Sequence, residues 1–248
     1  MLFMHHLKKM IMIKNLICIG ICFLHNLIFS QIQNGIVQYK ITSNSNFEDP
    51  RLAFIYTEED KKITPEIVLE LQFNQSQSCF GPTPLPKYKE EQKTNAFNMS
   101  RVNGFYFKNA NSKTIDYYKN DSSFGPIVIE YDSKIEWVLT NETKKIAGYI
   151  CYKATATLLD YNFMKYTNSE ITAWYCPEIP VNLGPKRLSG LPGLILETTE
   201  REVTLSAYKI QLNSEKADIC TIPFNAKRIT HEGYKKLIDE YIEEMNRN

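Results

Sequence analysis

Apolar side chains recur at every second position through much of this chain, the period of strands that turn one face to a core. Ile67, Leu69, Leu71 and Phe73 alternate with Val68, Glu70 and Gln72, predicting one such strand. Shorter runs rich in Ile, Val, Tyr and Phe predict others over 35–41, 104–107, 114–118, 127–131 and 135–140. A longer strand is expected over 148–159, then 170–175, and 194–199 pairs with 203–212 as a hairpin around Glu200, Arg201 and Glu202. Strand following strand with no helical stripe between them argues against parallel β-α-β units. The expected fold is therefore mainly β: a single domain built on a strongly curved, antiparallel, meandering sheet, either a half-barrel or a flattened barrel.

One helix is predicted, at the C-terminus. Tyr234, Leu237, Ile238, Tyr241, Ile242 and Met245 fall at helical spacing, and Thr230 is placed to cap them. The stretch 81–96 breaks the strand pattern with Pro82, Pro84 and Pro86, which deny the backbone its ladder donors. It reads as a surface loop.

Residues 1–30 have the layout of a signal peptide: Lys8, Lys9 and Lys14, a short apolar core over 16–24, and a small Ser30 before an expected cleavage at Gln31. A membrane-spanning helix needs about 20 mostly apolar residues, and Lys14, Asn15, His25 and Asn26 interrupt the run. Neither Cys18 nor Cys22 follows the small residue that a lipid-anchor cleavage site wants. Export to the periplasm, to the periphery of the outer membrane or to the medium is the expected destination. The remainder, 31–248, suits one domain. Its charge is nearly balanced, since the 29 basic side chains less those three lysines leave 26 against 28 acidic ones. A polyanion such as nucleic acid is thus not an expected partner.

Four cysteines follow the leader, Cys79, Cys151, Cys176 and Cys220, widely spaced and without a Cys-x-x-Cys pair. In an exported chain that pattern favours two disulfides over a zinc site. Three pairings are open, of which Cys151 with Cys176 and Cys79 with Cys220 suits the predicted strands best.

Candidate chemistry is sparse. Of four histidines only His231 lies beyond the leader, at the start of the predicted helix. It alone could serve a nucleophilic site, and no multi-histidine metal centre can form. No cofactor and no metal are expected. Glu136, Asp160, Glu170 and Glu197 lie in or beside predicted strands, and a glycosidase-like hydrolase would need two of them with carboxyl groups about 5–9.5 Å apart. Gly184-Pro185 and Pro192-Gly193 are turn-making dipeptides. Pro192-Gly193 suits a type II turn, with Leu191, Leu194 and Leu196 tucked beneath the loop. Glu197 is expected to share a face with Ile195 and to meet Lys186 or Arg187. Fifteen tyrosines and two tryptophans, Trp137 and Trp174, exceed what a core alone requires.

Over 173–197 the chain reads Ala-Trp-Tyr, then Ile179-Pro180, Gly184-Pro185, and the hexad Gly190-Leu191-Pro192-Gly193-Leu194-Ile195 continued by Leu196-Glu197. These residues resemble the signature of the GLPGLI family of exported proteins found mainly in Bacteroidota. The resemblance implies a protein of the cell envelope and supplies no catalytic residues. Cys176 stands where a variable polar residue is expected.

The expected function is accordingly non-enzymatic. A curved sheet and the 184–193 loop would present Trp174, Tyr175, Lys186, Arg187, Leu191, Pro192 and Glu197 to an envelope protein or to a small apolar or peptidic ligand, with contact to a membrane surface compatible. Binding predicts an aromatic-lined concavity near Trp174 and Leu191; an accessory of an envelope complex would show a flat apolar patch instead. The rival is a carboxylate-dependent periplasmic hydrolase.

Overall fold

A computed structural model describes residues 32–43, 62–99, 102–162, 165–214 and 219–247. The expected leader over 1–30 and its cleavage at Gln31 lie outside the described residues. Two compact units divide the chain, Met1–Ile32 and Gln33–Asn248, and the second holds every element below.

The strands are β1 (Gly35–Ser43), β2 (Val68–Phe73), β3 (Gln77–Pro82), β4 (Phe105–Asn109), β5 (Thr114–Asp121), β6 (Gly125–Asp132), β7 (Val138–Ile146), β8 (Tyr149–Asn162), β9 (Lys165–Cys176), β10 (Leu194–Glu200), β11 (Val203–Leu212) and β12 (Lys227–Thr230). Helix α1 (Glu90–Met99) and helix α2 (His231–Arg247) complete the unit, with a 3₁₀ turn at Thr64–Glu66. All twelve strands form one sheet in the order β12-β6-β5-β4-β3-β2-β1-β11-β10-β9-β8-β7. Every pairing is antiparallel except β12 on β6. The mainly β, antiparallel reading holds.

The connection from β6 to β7 shows that this sheet curls. Asp132 and Val138 are six residue steps apart, a reach of at most about 22 Å at ~3.6 Å per residue. Yet β6 is second in the order and β7 is twelfth, so a flat sheet would separate them by about 48 Å at ~4.8 Å per strand. The two wings therefore face one another across a concave inner surface. Its edges, β12 and β7, do not pair, and the result is an open half-barrel.

Register identifies what faces inward. Tyr39 pairs with Leu69, Leu71 with Phe80, Phe80 with Tyr106, Tyr106 with Tyr117, and Tyr117 with Ile129. On the other wing Ala154 pairs with Ala173 and Tyr175 with Ile195. The 177–193 connection folds into this concavity. Its Leu188 and Leu191 pack with Ala154, Ile171, Ala173, Tyr175 and Ile195.

Helix α2 seals the β6 end. Thr230 Oγ1 accepts a hydrogen bond from the Gly233 amide at 3.1 Å, the expected cap. Tyr234 and Ile238 bury against Ile127 and Ile129. The expected loop over 81–96 is shorter than read: β3 runs into it as far as Pro82, and α1 begins at Glu90.

Cys79 on β3 is joined to Cys220 by a disulfide with Cα atoms 6.0 Å apart and a sequence separation of 141. Closing so long a loop constrains the unfolded chain by about 4–5 kcal/mol in the chain-entropy model. Cys151 and Cys176 occupy the register position next to the Tyr152–Tyr175 pair, buried, as free thiols in hydrogen-bond contact.

Candidate functional site

Tyr106, Tyr117 and Tyr131 project from β4, β5 and β6 on the inner face. Tyr106 and Tyr117 stack with ring centroids 4.4 Å apart. The Tyr117 hydroxyl donates to the Asn103 carbonyl at 2.8 Å, which fixes the ring. With Asn98, Lys119, Ile129, Tyr234, Glu200, Lys186, Arg187 and Leu188 they line a cavity of about 290 Å³, near the lower edge of the ~300–1,000 Å³ usual for small-molecule sites. Burial pushes the Tyr106 hydroxyl well above its ordinary pKa, so it stays protonated and able to donate.

The 177–193 connection supplies the cavity's far wall. Lys186 takes a left-handed backbone, φ 56°, and its ammonium donates to Glu200 at 2.8 Å across a largely buried ion pair. Arg187 lies over the Tyr131 ring at 4.8 Å and donates from Nη2 to the Leu159 carbonyl at 2.7 Å. It thereby spans β6 and β8, the two wings. Lys108 on β4 donates to Ser189 Oγ at 3.1 Å, and Trp137 Nε1 donates to the Ser189 carbonyl at 2.8 Å. These contacts hold the connection inside the curve.

At the hexad the structure differs from the expected type II turn. The Gly193 amide bonds the Leu191 carbonyl at 2.8 Å, and the Leu194 amide bonds Ile179 at 2.9 Å. Pro192 thus centres a three-residue inverse γ-turn, which its fixed φ suits. Gly193 follows with φ 152°.

A β-bulge then re-aims the strand. Ile195 faces Tyr175, but Glu197 faces Trp174, so Leu196 is the extra residue. Neighbours Tyr175 and Trp174 point to opposite faces, and Glu197 is therefore turned away from Ile195, against expectation. At the bulge the buried Tyr39 hydroxyl donates to the Ile195 carbonyl at 2.8 Å. Burial raises the Tyr39 pKa, which keeps that donor protonated.

The expected site residues consequently divide. Lys186 and Arg187 line the cavity; Tyr175 and Leu191 pack against the same inner wall; Pro192 is exposed at the turn. Trp174 and Glu197 are on the outer face. There Lys144 forms an ion pair with Glu197 and lies over the Trp174 ring at 4.2 Å, while Ser206 donates to Glu197 at 2.9 Å. The concavity lies on the face opposite Trp174, a correction that follows from the alternation of Trp174 with the inward Tyr175 along β9. Its tyrosines were not singled out from the sequence, although their excess was the available signal.

Three of the four carboxylates expected for a hydrolase have described side chains. Glu136 pairs with Lys134, Glu197 with Lys144, and Glu170 is exposed on β9; the Asp160 side chain lies outside the described ones. Beside the cavity, Asp121 is paired with Lys119 at 2.6 Å. Burial opposes its ionisation, but Lys119 and the amides of Ser123 and Phe124 outweigh that and hold its pKa down. Asp121 is hence ionised at neutral pH. His231 lies against Tyr131 with ring centroids 4.5 Å apart and planes tilted by 33°, and burial first, then the Arg187 charge, lower its pKa. Among the described residues no cluster of His, Cys, Asp and Glu is placed to hold a metal, and no helix is long and apolar enough to cross a membrane.

What the fold and site define is an open β half-barrel with a plugged inner face and a tyrosine-lined cavity. A family model described as "Protein of unknown function (Porph_ging)" matches residues 160–197, which include the whole 173–197 segment. Among solved structures the chain is similar to PNGF-II in its P21 space group, with TM-score 0.51 and 16% identity, covering 84% of this chain and 33% of that one. PNGF-II in the C2 space group gives TM-score 0.52 at the same identity and coverage. The chain thus spans about a third of that protein, and the likeness concerns the fold. No curated protein matches.

Proposed function

We propose that this chain is an exported, GLPGLI-type binding module of the cell envelope that holds a small ligand in the inner cavity. The cavity itself carries the reading: four tyrosines, Tyr106, Tyr117, Tyr131 and Tyr234, converge with Lys186 and Arg187 in one concavity of about 290 Å³. Rigid strands supply the aromatic wall and an ordered connection supplies the charged one, a division common to ligand sites. The Cys79–Cys220 disulfide supports residence in an oxidising compartment.

A thermal-shift screen of small metabolites against purified protein tests this reading. Hits that stabilise the wild type should lose their effect in Tyr117→Ala and keep it in Trp174→Phe, whose site is on the outer face. Stabilisation that survives Tyr117→Ala and disappears in Trp174→Phe would overturn the inner-cavity assignment.

A further inference from the structure

Charge on the inner face is unbalanced in a specific way. Lys119 is matched by Asp121 and Lys186 by Glu200. Lys108 meets only the Ser189 hydroxyl. Arg187 meets only a carbonyl and a tyrosine face. Among the described residues, neither of the last two has a carboxylate partner.

Such cations are costly to leave half-buried. Taking a guanidinium partly out of water without a counter-ion forfeits solvation that neutral partners repay only in part. Burial accordingly lowers the Lys108 pKa. One Arg187 Nη2 bond goes to Leu159, and a guanidinium carries five donors in a planar fork. The fork that remains is pre-oriented by stacking on Tyr131, a geometry that suits two parallel bonds to one carboxylate. The stacked Tyr106–Tyr117 pair lines the same cavity, and such faces take flat rings or the C–H face of a sugar ring.

We infer that the ligand is a small ring bearing a carboxylate, its anionic group seated on Arg187 and its ring against Tyr106 and Tyr117. This rests on the inner-cavity reading and adds the substrate class. The ring could come from a uronic acid or an aryl acid, and the probes separate the two.

Isothermal titration should compare glucuronate with its methyl ester and benzoate with benzamide, on the full folded protein. At least one acid should bind more tightly than its neutral counterpart, with affinity falling as salt rises. Arg187→Gln should reduce the preference for that acid ~10- to 100-fold, the range for a charge-assisted bond, and Arg187→Lys should restore part of it. A purely structural Arg187 would lower both affinities and leave their ratio alone. Should Arg187→Gln fold poorly, the wild type supplies a second measurement: raised salt should narrow the acid-to-neutral ratio, and a ratio unmoved by salt would refute the anionic ligand. Equal binding of acid and neutral forms, lost together in Tyr117→Ala, would leave the cavity assigned and refute the anionic ligand. No binding of either acid would refute it as well.

Discussion

Gly193→Ala should be among the most damaging single-methyl additions in this protein. Gly193 has φ 152°, a region that costs an L-residue about 1–3 kcal/mol. An added Cβ would stand 2.2 Å from the Cys176 carbonyl oxygen and 2.5 Å from its carbon. Both atoms are backbone and cannot rotate aside, so the first β9–β10 pair, Cys176 with Leu194, must part. Overpacking of that kind adds about 1–3 kcal/mol, for a total of about 2–6 kcal/mol. Gly125→Ala is the control, because φ there is 73° and nothing lies within 4 Å of an added Cβ. Backbone preference alone predicts a loss of about 1–2 kcal/mol at that site. Urea denaturation followed by far-UV circular dichroism, with m-values checked for constancy, measures both. Equal losses for the two variants would refute the argument that the hexad's second glycine is required by a close backbone approach.

Three other outcomes follow from named contacts. Tyr39→Phe removes the donor to the bulge carbonyl of Ile195 and should cost about 1–3 kcal/mol; a neutral result by chemical denaturation would mean the bulge is satisfied otherwise. His231 has a folded pKa below its unfolded value of 6.5, so the unfolded chain binds more protons as pH falls and stability is lost below about pH 6.5. His231→Gln should flatten that decline between about pH 5 and 7, and an unchanged slope in denaturant titrations would contradict it. Oxidised glutathione should join Cys151 to Cys176, two thiols giving one disulfide and two reduced glutathiones, because the pair is in cross-strand register with its thiols in contact. Intact mass with and without alkylation reads this, and two thiols still alkylated after oxidation and denaturation would refute it.

What could be read from the sequence was local. β2 was legible because its burial alternates strictly along Val68–Phe73. β3 was not, since Ser78, Cys79, Phe80 and Gly81 are all buried in succession and leave no period to detect. Helix α1 has helix-forming residues but no apolar stripe, and among its described side chains Ala96 alone is in the buried core. The 184–193 loop was found from turn chemistry, and its cations Lys186 and Arg187 were singled out as partners for Glu197, which Lys144 takes instead. Their aromatic counterparts were not, because Phe80, Tyr106, Tyr117 and Ile129 become neighbours only through the register of four strands. Glu197 was assigned the wrong face for a related reason. Period-2 counting is exact until one extra residue enters, and the bulge at Leu196 inverts everything after it.

Central to all of this is that the sheet curls until the 177–193 connection bridges its two wings through Arg187. Nuclear Overhauser contacts in protein labelled on tyrosine and arginine test that most directly. Cross-peaks between the Tyr131 ring and the Arg187 side chain are predicted, matching their 4.8 Å approach, and a bound ligand should shift both. Absence of those cross-peaks, with ligand-induced shifts at Trp174 instead, would contradict it.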